Sequence, residues 1–207
     1  VLVTAIGLLG VAAGIVSLVS ENIRNNTASV KEITEREDTN HQRILKEIDS
    51  CDVMVNMHHI LVFTGDNQPP QIREKAVAKV KTNPNWQQEL IRVLDSDLAE
   101  EAFQFLASNP VDDPSLFTEP VRKGVLKQAA LIRERIQRSS HPSHFYPGIF
   151  SWEVERVIRS VDRFKGKGTD YLPAMKELRA ALDEPSEYKQ ISFACIPPLD
   201  KWIKANQ

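Results

Sequence analysis

Cys51, His58 and His59 are the first side chains along the chain with metal-ligand chemistry. Cys51 and His58 stand seven residues apart, on one face of a helix. Two ligands do not complete a site, and a lone cysteine in an apolar helix reads as a small buried residue. His141 and His144 flank Pro142, and histidines three apart can chelate, but Ser139, Ser140 and the proline make this a solvent-facing loop. Gly166-Lys167-Gly168-Thr169 resembles a fragment of a phosphate loop and lacks the preceding strand and the first glycine. There is no H-E-x-x-H, no nucleophile elbow and no carboxylate pair with a geometric reason to be catalytic. No catalytic residue, metal site or cofactor is therefore assigned, and a site assembled from residues distant in sequence is the minor alternative.

Charge gives a stronger lead. The 207 residues hold 26 Lys+Arg against 28 Asp+Glu, a formal charge of -2, which gives no general reason to expect nucleic acid. The distribution is uneven: residues 119–168 carry 11 basic against 5 acidic side chains. Within them Arg156, Arg159 and Arg163 recur at helical spacing opposite an apolar face, and Lys165 and Lys167 continue the line. Such a stripe is either a solvated face or a docking face for an acidic partner or anionic lipid headgroups. Two cysteines exclude a disulfide framework and a four-cysteine zinc module.

These side chains need elements to hold them. Residues 1–20 contain no charge, and 14 of the 20 are hydrophobic. That is the length of one apolar helix across a bilayer core of about 30 Å, so a single transmembrane helix is expected there, with a buried core helix or a signal sequence as alternatives. Gly10 and Gly14 form a GxxxG pair that would let two such helices approach and self-associate. The chain opens on Val1, so the basic residues on the far side are not counted, and the sidedness of the remainder is open.

From Ile15 to Thr64 there is neither glycine nor proline. Residues 21–65 are expected to run as one stalk helix. The heptad is broken at Asn26, Asn40 and Glu47, so a coiled-coil dimer competes with a single helix whose second half, from Ile44 to Leu61, docks on the following domain.

All twelve prolines follow residue 68, and they punctuate a series of short helices expected at about 71–82, 84–96, 97–109, 115–139, 150–165, 170–183 and 192–205. Asn83 and Asp113 precede prolines as caps, Asp97 with Glu100 and Glu101 reads as a capping box, and Ser151 precedes the periodic run Val154, Val157, Ile158, Val161. No segment alternates with a period of two. Residues 66–207 are thus expected to be all-α.

An internal echo sets the expected architecture. Glu74, Ala76, Val80, Thr82, Asn83 and Pro84 are repeated 26 residues later as Glu100, Ala102, Leu106, Ser108, Asn109 and Pro110. With the L-D endings at Leu94-Asp95 and Leu182-Asp183, residues 72–138 resemble the HEAT-like α-solenoid family. The resemblance implies a stacked array of helical hairpins used for protein interaction, with an irregular helical bundle as the alternative because residues 140–207 depart from the pattern.

The expected function is a membrane-anchored helical interaction or scaffold domain without catalysis. It would hold the bilayer through residues 1–20 and a protein partner through the helical domain. The alternatives are a regulatory or homo-oligomeric membrane component, or a small-molecule binder or enzyme.

Overall fold

Asp52 decides where the first helix stops. The structure, a computed structural model, describes residue 36 and residues 38–207. Residues 38–50 are helical (α1), Cys51 and Asp52 are not, and a second helix, α2 (Val53–Leu61), begins at once. The Asp52 carboxylate accepts the Met54 N–H at 2.9 Å and so caps the new helix. The uninterrupted helix expected from the lack of glycine and proline is therefore broken. A short acidic side chain that bonds the backbone ahead of it offers an alternative to helix continuation, here without glycine or proline.

The expected membrane span and its Gly10–Gly14 pair lie outside the described residues. Among the described residues, no helix is long and apolar enough to cross a membrane.

The chain divides into two units between Glu47 and Ile48, and the second, Ile48–Gln207, holds every element from α2 onward. All regular elements described are helices: α3 (Pro70–Lys81), α4 (Trp86–Leu94), α5 (Ala99–Ser108), α6 (Thr118–Arg138), α7 (Ser151–Phe164), α8 (Leu172–Leu182) and α9 (Ile196–Ala205), with short 3-10 turns at Pro114–Phe117 and Pro142–His144. The expected limits of the helices after residue 70 agree to within three residues, apart from α9, which starts four residues later than expected.

Packing follows chain order. α2 pairs with α3 and touches α5, α4 packs on α6 and α6 on α8, while α5 packs on α7 and α7 on α9. Two rows result, α4-α6-α8 and α5-α7-α9, cross-linked by α4–α5, α5–α6, α6–α7 and α8–α9 contacts. The apolar spacing dictates which face turns inward. On α7, Val154, Val157, Val161 and Phe164 are buried, and on α6, Val121, Val125, Ile132 and Ile136 are.

The repeated pattern marks buried positions. Ala76 and Ala102 are fully buried, as are Val80 and Leu106, and both asparagines of the N-P pairs are inside. The small alanine lets each helix approach its neighbour closely. Gly124 does the same in the middle of α6, where a Cβ would sit 2.9 Å from Leu94 Cδ2 and 3.2 Å from Phe103 Cζ.

Not every expected cap forms. Asp113 does cap, accepting Ser115 N–H at 3.0 Å. Asp97 instead pairs with Lys127 at 2.7 Å, and α5 starts without a side-chain cap. Pro84 lies in the turn before α4 rather than at its first position, with Asn83 Oδ1 accepting Asn85 N–H at 2.9 Å. The Ser151 hydroxyl is buried with no hydrogen-bond partner, and α7 has no side-chain cap.

Candidate interaction face

The basic stripe is built on α7, whose apolar stripe faces α5 and leaves the arginines on its flank. The structure divides it. Arg156 pairs with Glu100 at 3.3 Å and lies over the Trp152 ring, 5.8 Å from its centroid. Arg159 pairs with Asp66 at 2.6 Å and donates to the Ala107 carbonyl at 3.2 Å. Arg163 also donates to that carbonyl, at 3.4 Å. Two guanidinium groups thus meet the C-terminal end of α5, where the helix dipole favours positive charge. The Arg159 guanidinium holds the Asp66 carboxyl below the usual carboxylate range. Arg156 and Arg159 are therefore largely committed to holding α7 against α5 and the loop after α2.

Lys165 and Lys167 differ. They are exposed, and among the described residues no carboxylate pairs with either. Lys165 Nζ stands 6.0 Å from the Trp202 ring centroid, and Lys167 Nζ 5.4 Å from that of Phe164.

Beside this stripe runs a groove that no local motif announced. It opens between α7 and α9, encloses about 550 Å³, and has walls of Val154, Ile158, Pro198 and Trp202. Its rim carries Glu155, Arg159 and Lys201. Trp202 is fixed in the wall because its indole N–H donates to Asp162 at 2.7 Å. The Ser151 hydroxyl and the Cys195 thiol complete the lining. Burial pushes the Cys195 thiol up to about 11, so it stays protonated at neutral pH. α9 is seated by Phe193, which meets Phe150 edge-on with centroids 5.0 Å apart, and by the Ala194 N–H, which donates to Pro147 O at 2.7 Å.

His58, His59, His141 and His144 form two pairs and, among the described residues, no larger ligand cluster. The His58 and His59 rings contact edge to face at 4.3 Å, and burial, then the charge of His59, lowers His58 below its ordinary value. His141 and His144 have centroids 6.1 Å apart, with His141 Nδ1 2.7 Å from Ser143 Oγ. Among the described residues no three His, Cys, Asp or Glu side chains could hold a metal, and no disulfide is present. Gly166 and Gly168 take φ of 78° and 94° to turn the chain between α7 and α8. That conformational need accounts for the glycines of the G-K-G-T fragment.

The groove escaped sequence reading because its walls come from helices some 40 residues apart, and nothing in either helix alone marks a shared face. Trp202 at helical spacing from Pro198 was the one available signal. No protein-family model, curated protein or solved structure matches this chain.

Proposed function

We propose that this chain is a non-catalytic helical interaction domain, tethered to a membrane by residues 1–20, whose α7–α9 groove receives the apolar side chains of an acidic partner segment. The observation that carries the reading is the groove itself: an apolar slot walled by Val154, Ile158, Pro198 and Trp202, with Lys201 on its rim and Lys165 close to Trp202. A partner helix or extended peptide with two or three apolar anchors would bury its side chains there, and flanking Asp or Glu would meet the lysines. The two rows of neighbouring helices support a HEAT-like array as the scaffold behind the groove. The uncharged run of residues 1–20 supports the tether.

Selection from a displayed library of amphipathic peptides tests the groove. Binders should share apolar anchors with acidic flanks, and Lys201→Glu together with Ile158→Ala should weaken them at least tenfold while circular dichroism is unchanged. A library that yields no binder, or binders indifferent to both substitutions, overturns the reading. Binding to anionic vesicles by the same lysines without any peptide binding would replace the protein partner with headgroups.

A further inference from the structure

A second cleft, on the other side of α7, is lined by more carboxylates than cations. It lies among α5, α6 and α7 and encloses about 430 Å³. Glu100 and Glu101 come from the first turn of α5, Glu153 from the first turn of α7, and Gln128, Leu131 and Ile132 from the middle of α6, while Arg135, Arg138 and His144 line it toward the far end of α6.

The polar partners in this cleft do not balance. Asp97 at its edge is taken by Lys127, Glu134 by Arg138 at 2.6 Å, Glu100 by Arg156 and Glu153 by Arg135 at 3.1 Å. Among the described residues no salt bridge reaches Glu101. A second observation is independent of the acidic residues. Gln128 is 4% exposed, lines the same cleft, and its Oε1 is buried without a hydrogen-bond partner. A buried acceptor left without a donor destabilises the fold, so its retention beside a cleft calls for one. The half-buried Leu131, backed by the buried Ile132 and Phe150, supplies apolar wall beside these acceptors.

We propose that this cleft binds a small organic cation, an ammonium or guanidinium head on an apolar body, with the head at Glu101 and the Gln128 amide oxygen and the body along Leu131. A bare metal ion does not fit, because the carboxylates here do not converge as a ligand set among the described residues. An N–H donor suits both acceptor types, carboxylate and amide oxygen, and such charge-assisted bonds are the strong ones. Burial raises Glu101 and Glu153 above the ordinary carboxylate range, with Glu100 adding repulsion and Arg156, joined by Arg135 at Glu153, opposing it, so a cation bound at Glu101 would favour its charged form. This site is separate from the α7–α9 groove and stands or falls without it.

The test is titration calorimetry and melting of the full chain with benzamidine and agmatine, using benzamide as the neutral isostere. Both cations should bind saturably and raise the melting temperature, and benzamide should do neither. Glu101→Gln should weaken binding about tenfold or more, and Gln128→Leu about threefold or more, each with an unchanged helical spectrum. Blocked arginine amide distinguishes the source: binding equal to that of agmatine points to a side chain on a polypeptide, and binding by agmatine alone points to a free amine. No saturable binding by either cation overturns the proposal. So does equal binding by benzamide, or wild-type affinity in both variants.

Discussion

Asn83 and Asn109 do one job at the two ends of α2. Asn83 Nδ2 donates to the Val53 carbonyl at 3.3 Å, and Asn109 Nδ2 donates to the Thr64 carbonyl at 2.8 Å and to Phe105 O at 3.2 Å. Each asparagine is less than a tenth exposed; Asn109 is the C-cap of α5, and Asn83 directly follows Thr82, the C-cap of α3. The 26-residue echo is thus a repeated tie from a helix end to the backbone flanking α2.

Removing one tie strands a buried carbonyl. Asn109→Ala is expected to destabilise the domain by about 1–3 kcal/mol, and Asn109→Asp by at least as much, since a carboxylate cannot donate to Thr64 O. Urea unfolding with an unchanged m-value checks this. A loss below about 0.5 kcal/mol for both variants would show that the tie is dispensable.

Gly124 sets how closely α6 approaches α4 and α5. Alanine there gains helix propensity against a tight contact with the mobile end of Leu94, so the two effects oppose. Leucine has no such room and is expected to cost about 1–3 kcal/mol by overpacking. A thermal melt of Gly124→Leu matching wild type would show that the neighbouring side chains yield freely.

Glu101 and Glu153 give the domain a pH signature. Burial raises both above the ordinary glutamate value of 4.5 in the folded state. A carboxyl with a raised folded value binds its proton more tightly when folded, so its contribution to stability is full below 4.5 and is lost as pH rises through the folded value. Glu101→Gln should therefore match wild type at about pH 4 and melt higher at about pH 7. A melting difference that is flat with pH would mean that Glu101 is not desolvated in solution.

Cys195 is predicted to be chemically quiet. It is 3% exposed, and its thiol is pushed up to about 11. A disulfide reagent at neutral pH should leave it unmodified for hours in the native protein and label it promptly in denaturant. Prompt native labelling, located by peptide mapping, would mean that α9 lifts from α7.

Most of the fold was legible because apolar spacing and proline positions are local signals. Val154, Val157 and Val161 declare the buried face of α7 without reference to any other segment. Caps were less legible: Asp97 matches the capping pattern yet is claimed by Lys127, a residue 30 positions away. Asp52 shows the converse, a break written in one side chain where composition shows none. The basic stripe was visible in sequence, but its division was not, because only the fold brings Asp66 and Glu100 to Arg159 and Arg156. The cleft beside Glu101 was hidden for the same reason. Its acids lie in what read as a capping box, and its amide lies on an ordinary stretch of α6.

Gly166 and Gly168 also bear on what can be attached to this protein. Both turn through the left-handed region, and a Cβ built on either would meet nothing within 4 Å. The link from α7 to α8 is constrained in handedness and unconstrained in bulk. A fluorophore or a second folded module spliced between Lys167 and Gly168 would project outward without pressing on either row. Its emission would report on neighbours that arrive at Lys165 and Trp202.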